Sequence, residues 1–215
     1  MSISPAKENI LKKIRQALSH PVPVPFPQSE GNQSVFQPPV DDQAVQFAQA
    51  FSSLQGRFLY CADPADAVLQ LMELAARSHW EKIVCREEAL ISILRRQYPS
   101  FVFHESLADC DAAITGCEAL VSRTGTIVLS SATASGRTGS VYAPVHICIA
   151  YTHQLVNDVK DALQLLRGKY GSQLPSFFTF ATGPSRTADI EKTLVVGVHG
   201  PKEVYVLLVE SPFPL

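Results

Sequence analysis

The chain has 215 residues, of which 46% are hydrophobic and 18% are charged, and its formal net charge is -2. This length accommodates one full hydrophobic core with an arm, and the small net charge excludes a general attraction to nucleic acid or acidic membranes. No apolar run approaches the about twenty residues of a membrane span, and the N-terminus lacks an apolar stretch flanked by basic residues, so we expect a cytoplasmic protein.

The N-terminal segment predicts a tethered helix. Residues 5–18 place Ile10, Leu11, Ile14 and Leu18 on one face, which is the pattern of an amphipathic helix. Alternating prolines follow, up to a Pro-Pro pair at 38–39, and such a segment favours an extended conformation. We therefore divide the chain into an N-terminal helix with a proline-rich arm, residues 1–40, and an α/β domain, residues 41–215. Two packing surfaces are open to this helix, one on its own domain and one on a partner protein.

Helix and strand patterns alternate along the second segment. Predicted helices cover residues 45–54, 64–76, 87–97 and 155–166, and predicted strands cover 57–61, 82–85, 101–103, 112–114, 126–130, 146–150, 177–180 and 204–209. This alternation predicts an α/β fold with a mainly parallel or mixed sheet covered on both faces. In such sheets, ligands bind at the carboxyl ends of the strands.

The first candidate site is a stretch rich in glycine, hydroxyl groups and arginine around the predicted strand 126–130. Its glycines allow backbone amides to approach a ligand, and its arginines suit a carboxylate or phosphate. Neither a Walker lysine nor a G-x-G-x-x-G fingerprint is present, and a solvated, turn-rich loop is the alternative. The candidate ligand-binding residues here are Thr124, Gly125, Thr126, Ser130, Gly136 and Arg137.

The second candidate site is the sequence Gly-Pro-Ser-Arg-Thr-Ala-Asp-Ile-Glu at 183–191. Ser185 has the position of a helix N-cap after a strand, so the pattern predicts a helical turn whose free amides, with Arg186, bind an anion. The ligand-binding candidates are Gly183, Ser185, Arg186 and Thr187.

Three further residues near this second motif are candidates for catalysis. His199 lies in a Gly-His-Gly-Pro turn and suits the role of a general base or ligand in hydroxy-acid chemistry near neutral pH, with a histidine that orients the loop by hydrogen bonds as the alternative. Asp189 and Glu191 are the candidate carboxylates, with a structural hydrogen-bonding role as the alternative for Asp189. His146 opens an apolar strand, which favours a structural role for it over a ligand role.

No metal site is predicted in the chain. The cysteines are odd in number and none belongs to a Cys-x-x-Cys pair, so we expect reduced thiols, buried as small hydrophobic side chains, and no cofactor held by this chain. The histidines also lack metal-ligand spacing. The cysteines are Cys61, Cys85, Cys110, Cys117 and Cys148.

Taken together and in this order, the two motifs resemble the LUD-domain family of lactate utilization proteins. The resemblance rests on Thr-Gly-Thr at 124–126, the serine-rich loop to Gly136-Arg137, Pro144 with His146-Ile147, the motif at 183–191, and Gly197 with His199-Gly200-Pro201. It covers about residues 41–210. The chain departs from many family members at Arg123, where they carry an acidic residue.

The resemblance implies a three-layer α/β/α fold similar to that of ribose-5-phosphate isomerase and the CoA transferases. It also implies a bacterial system that oxidises L-lactate to pyruvate, in which this chain is a non-redox component and the iron–sulfur clusters belong to partner proteins. If the chain had a catalytic carboxylate of the CoA-transferase type, the candidates would be Glu118, Asp189 and Glu191.

Two alternatives to the lactate hypothesis stay open. One is an independent enzyme or binder of a phosphorylated, CoA-linked or folate-like ligand, which fold analogy alone supports. The other is a purely structural or regulatory subunit. Under each hypothesis in which the chain binds a ligand, we expect the two motifs to meet in one cleft at the carboxyl edge of the sheet.

Overall fold

The computed structural model describes residues 5–19, 38, 42–190 and 193–210, and the side chains of residues 188–190 and 193–194 lie outside this description. The chain divides into two compact units, residues 1–37 and 38–215. In the first unit, helix α1 (Pro5–Leu18) confirms the predicted amphipathic helix, and it has no buried residue. The proline-rich connector, apart from Pro38, lies outside the described residues.

The second unit alternates strands and helices along the chain. Its helices are α2 (Gln43–Ser53), α3 (Pro64–Ser78), α4 (Glu88–Gln97) and α5 (Val159–Tyr170), with a short 3-10 helix at Thr152–Gln154. Its strands are β1 (Arg57–Cys61), β2 (Ile83–Cys85), β3 (Ala112–Thr115), β4 (Ala119–Val121), β5 (Thr126–Ser130), β6 (Val145–Tyr151), β7 (Leu155–Val156), β8 (Phe178–Ala181), β9 (Arg186–Ile190), β10 (Thr193–Val196) and β11 (Glu203–Val209).

Five of these strands form the central sheet, in the order β1-β11-β6-β3-β2, and every neighbouring pair is parallel. Alternate side chains of β11 face opposite sides of the sheet. Tyr205, Leu207 and Val209 pack in a cluster with residues of α3 and α4, whereas Val204, Val206 and Leu208 pack in a cluster with Phe47 and Phe51 of α2. The predicted three-layer α/β fold with a mainly parallel central sheet is confirmed.

A second sheet lies on the α2 side of the central sheet, with the order β7-β4-β5-β8. Ala162 and Leu166 of α5 pack on β4 and β5 at its outer face. The sequence patterns missed β4, because it is only three residues long and wholly buried, which gives it neither alternation nor length. Leu155, which we placed in the following helix, belongs to β7.

The capping residue and the first-turn proline correctly predicted where α3 begins. Asp63 accepts a hydrogen bond from the amide of Asp66, and Pro64 occupies the first helical position of α3, as predicted. The predicted strand at 101–103 is wrong. Phe101 and Phe103 instead pack edge to face in a coil segment, with ring centroids 4.7 Å apart.

The helix predicted to begin at Ser185 is also wrong. Residues 186–190 form β9, which pairs antiparallel with β10; Arg186 lies opposite Val196 and Thr187 opposite Val195. The Ser185 amide donates to the Pro201 carbonyl at 3.0 Å, so it is not free for an anion. The capping signal at Ser185 is local, and the partner strand, rich in β-branched residues, overrides it.

Candidate functional site

Two adjoining pockets form a cleft at the amino ends of β6 and β11. The inner pocket, about 260 Å³, is lined by His146 and Val204 at the starts of these strands, and the outer pocket measures about 440 Å³. Both are lined by Val141, His199 and Gly200, so we describe them together as the amino-end cleft. The inner pocket is rich in polar groups, which are Ser140, His146, Thr179, Thr182, Ser185 and His199.

Backbone hydrogen bonds hold the walls of this cleft together. The Gly197 amide donates to the Ser185 carbonyl at 2.9 Å, and the Lys202 amide donates to the Pro144 carbonyl at 2.8 Å. A side chain at Gly200 would not fit, because its Cβ would lie 2.8 Å from Cβ of Ser185. The Gly-His-Gly-Pro turn is therefore fixed against the start of β9, with His199 exposed in the cleft.

His146 is the buried member of the lining, with 1% of its surface exposed. Its Nε2 lies 2.8 Å from Oγ1 of Thr115, and that hydroxyl also contacts the Gly116 carbonyl at 2.9 Å. Burial lowers the pKa of His146 from 6.5 to about 4, because the charged imidazole would lose its hydration. The ring is therefore neutral at neutral pH.

The structure joins parts of the two sequence motifs, but at the opposite edge from the predicted one. The serine-rich loop reaches the cleft through Ser140 and Val141, and the second motif reaches it through Gly183 and Ser185, next to His199 of the Gly-His-Gly-Pro turn. We expected the carboxyl edge of the sheet, and that was wrong. The His-Gly-Pro turn and Pro144 come directly before β11 and β6, so they lie at the amino ends of these parallel strands.

The Thr-Gly-Thr turn lies behind the cleft and joins β4 to β5. Gly125 has φ +60°, and a Cβ there would lie 2.5 Å from the amide nitrogen of Phe51, so the turn packs against the backbone of α2. Thr126 Oγ1 lies 2.7 Å from the hydroxyl oxygen of Thr124 and 3.0 Å from that of Thr182, which lines the inner pocket. This turn therefore supports the cleft wall from behind.

Arg137 lies at the other end of β8. Its guanidinium donates to Ser176 Oγ at 2.8 Å and lies over the ring of Phe177, 5.5 Å from the centroid, just before that strand begins. Ser185 follows the far end of the same strand, so the structure does not bring Arg137 and Ser185 together. Gly136, next to Arg137, has φ +57° and open space around it.

Arg186 contacts the end of α2. Its guanidinium donates to the Leu54 carbonyl at 3.0 Å and to Oε1 of Gln55 at 3.1 Å, which gives it a structural partner. Thr187 lies in β9 with a partly buried side chain. Asp189 is in the same strand but its side chain lies outside the described part, as does the whole of Glu191.

Glu118, one of the three carboxylates named as candidates of the CoA-transferase type, is buried at the carboxyl end of the central sheet. Glu118 accepts hydrogen bonds from Ser130 Oγ at 2.5 Å, Tyr170 OH at 2.6 Å and Lys169 Nζ at 2.7 Å. Burial raises the pKa of Glu118, but the bonds from Lys169, Ser130 and Tyr170 outweigh burial and the net pKa is below its usual value. Its oxygens are thus occupied by internal donors, which is typical of a structural carboxylate.

The described residues contain no helix long and apolar enough to cross a membrane. Within the same residues, no three or more His, Cys, Asp and Glu side chains are grouped so that they could hold a metal ion.

The fold and the cleft define a class of protein, an α/β domain with a small polar pocket at the amino ends of its central strands. The sequence model of the LUD domain family matches residues 45–209. The chain belongs to the LUD domain family.

Curated relatives match over about a hundred residues or more. Two proteins named lactate utilization protein C are 34% identical over 120 residues, in Deinococcus radiodurans, and 37% identical over 109 residues, in Halalkalibacterium halodurans. An uncharacterized protein of Neisseria meningitidis is 33% identical over 105 residues. These matches cover 55%, 50% and 49% of this chain and 55%, 47% and 45% of the relatives, so the chain spans about half their length.

A solved structure shares the fold. The crystal structure of a DUF162 family protein from Deinococcus radiodurans superposes with a TM-score of 0.58, covering 80% of this chain and 99% of that one at 20% sequence identity. At this identity the likeness concerns the fold alone.

Proposed function

We propose that this chain is a non-redox component of a bacterial system that oxidises L-lactate to pyruvate, and that it binds the hydroxy acid in the amino-end cleft. Iron–sulfur clusters carried by partner proteins would accept the electrons. Membership of the LUD domain family and the relatives named lactate utilization protein C support the lactate connection.

The inner pocket is the observation that carries the binding proposal. Its volume of about 260 Å³ is below the usual range for drug-sized ligands, so it suits a molecule of a few heavy atoms better than a nucleotide or CoA. Three hydroxyl groups, those of Ser140, Thr179 and Ser185, are available there to donate to a carboxylate. Lys202 lines the adjoining outer pocket and supplies a positive charge.

The cysteines support the non-redox part of the proposal. Burial raises the pKa of Cys61 to about 12 and that of Cys85 to about 11, and burial also raises the pKa of Cys110. A hydrogen bond with Cys117, together with burial, raises the pKa of Cys148. An iron–sulfur cluster also needs several ligands held close together, and among the described residues no three or more His, Cys, Asp and Glu side chains are grouped in this way, which supports the assignment of the clusters to partner proteins.

Calorimetric titration of the full chain tests the binding step. We expect L-lactate to bind, and Ser185→Ala to weaken it roughly fivefold, which is the loss of one neutral hydrogen bond. Ser176→Ala is the matched control, since it removes a hydroxyl just before the start of β8, outside the cleft, and should leave the affinity unchanged. Tight binding of CoA, a phosphorylated sugar or a folate in place of L-lactate would contradict the proposal.

Reconstitution tests the role in oxidation. The chain is mixed with the iron–sulfur proteins encoded near its gene, and L-lactate-dependent reduction of an artificial acceptor is followed. The proposal predicts that the reaction requires this chain and that the chain alone reduces nothing. Equal rates with and without the chain would contradict it.

A further inference from the structure

The buried histidine of the inner pocket carries an inference about ligand selectivity that rests on the proposed function. His146 is the second residue of β6, is 1% exposed, and still lines the inner pocket together with Ser185 and Thr179. Among the described residues, Nε2 has a hydrogen-bond partner. Nδ1 has none there, and it is not among the fully buried side-chain atoms that lack one, so it lies where the pocket can reach it.

The contacts of Thr115 indicate which tautomer the ring adopts. The Thr115 hydroxyl has one hydrogen, and the Gly116 carbonyl, 2.9 Å away, can only accept it. The Thr115 oxygen therefore accepts from His146 Nε2, 2.8 Å away, so the proton of the neutral imidazole is on Nε2. Nδ1 is left as an unprotonated nitrogen with a free lone pair.

We propose that His146 Nδ1 accepts a hydrogen bond from the hydroxyl group of a 2-hydroxy acid, and so makes the amino-end cleft selective for L-lactate over pyruvate. The two molecules share a carboxylate, which the pocket hydroxyls and Lys202 can meet in either case. They differ at the second carbon, where lactate has a hydroxyl donor and pyruvate has a carbonyl that only accepts. Pyruvate would leave Nδ1 without a donor and would place the lone pairs of its carbonyl oxygen against the lone pair of Nδ1.

The burial of the ring agrees with this role and disfavours another. The lowered pKa, about 4, keeps the imidazole neutral at neutral pH, so it does not act as a cation for the carboxylate. The same low pKa makes it a weak general base, and acceptance of a hydrogen bond is the remaining function of Nδ1. An unpaired buried acceptor lowers affinity by about tenfold to a hundredfold, which is the expected preference for L-lactate.

Two substitutions separate the ring nitrogens. His146→Gln places an amide near the position of Nε2, so it retains the bond to Thr115 and loses the acceptor at Nδ1. His146→Asn places an amide oxygen near the position of Nδ1 and loses the bond to Thr115. Calorimetric titration of each full-length variant with L-lactate and with pyruvate is compared with the wild type, after urea denaturation has shown that each variant is folded.

We expect His146→Gln to weaken the binding of L-lactate about tenfold and to leave the binding of pyruvate almost unchanged. His146→Asn should keep the preference for L-lactate. Equal affinity of the wild-type chain for the two acids would overturn the inference but leave the proposed function standing. No binding of either acid would overturn both. If a variant does not fold, ¹⁵N NMR of the wild-type imidazole provides the test. We expect an unprotonated Nδ1 whose chemical shift changes more with L-lactate than with pyruvate. A protonated Nδ1, or equal chemical-shift changes with the two acids, would refute the inference.

Discussion

Acid should destabilise this protein through His146 before it affects the carboxylates. The pKa of this imidazole is 6.5 in an unfolded chain and about 4 in the folded one, because burial disfavours the charged form. Above pH 6.5 the ring is neutral in both states. Between pH 6.5 and pH 4 only the unfolded chain binds the proton, so the free energy of unfolding falls as the pH falls.

The size of the effect follows from the two pKa values. Through this one group, the free energy of unfolding is lower by roughly 2 kcal/mol at about pH 5 than at about pH 7.5. The carboxylates with lowered pKa values, such as Asp158 and Glu118, titrate below their usual values of 3.8 and 4.5, so they contribute little at this pH. The window between pH 6.5 and pH 5 therefore isolates histidine protonation.

Urea denaturation of wild type and His146→Gln at these two pH values provides the assay. The other histidines are common to both proteins and cancel in the difference. We expect the difference in the free energy of unfolding between wild type and variant to decrease by roughly 2 kcal/mol on going from about pH 7.5 to about pH 5. A gap that is the same at both pH values would show that the imidazole is solvated or charged in the folded protein, and would refute the reasoning.

Three further predictions concern stability. Gly125→Ala should cost at least about 2 kcal/mol in urea denaturation, because φ is positive and the new Cβ would overlap the Phe51 backbone. Gly136→Ala is its control, with a similar φ but open space, and should cost only about 1 kcal/mol; equal losses would contradict the packing argument. Glu118→Gln should cost about 2 kcal/mol by weakening three hydrogen bonds, and an unchanged midpoint would show that the buried charge is unimportant. Arg186→Ala should cost less than about 1 kcal/mol by removing the contacts with the end of α2, and a folded variant that loses L-lactate would contradict this structural role.

Short-range signals predicted most of the fold. The Asp63-Pro64 pair predicted the start of α3, because the cap and the first-turn proline act within a few residues of each other. Long apolar strands such as β11 were equally clear, since every residue after Glu203 in that strand is buried. Strand and helix alternation then predicted the parallel sheet.

The errors arose where distant residues decide the structure. Ser185 carries a local helix-cap signal, but Arg186 and Thr187 pair with Val196 and Val195 across a hairpin, and pairing prevails. The predicted edge of the sheet was also wrong, because Pro144 and the His199-Gly200-Pro201 turn come directly before β6 and β11 in the sequence and so lie at the amino ends of these strands.

The polar partners of the buried groups lie far apart in sequence. His146 meets Thr115 across 31 residues, and Glu118 meets Lys169 and Tyr170 across 51 and 52 residues. Such pairs form no motif in a single sequence. The interpretation of His146 as a structural histidine was accordingly incomplete, since the fold also places it in the wall of the inner pocket.

A crystal structure of the full chain grown with L-lactate tests the central claim most directly. The claim predicts electron density for the hydroxy acid in the inner pocket, with its hydroxyl within hydrogen-bond distance of His146 Nδ1 and its carboxylate at the hydroxyl group of Ser185. Lactate bound at the carboxyl edge near Glu118, or an inner pocket that holds only water at a lactate concentration that saturates the calorimetric signal, would contradict it.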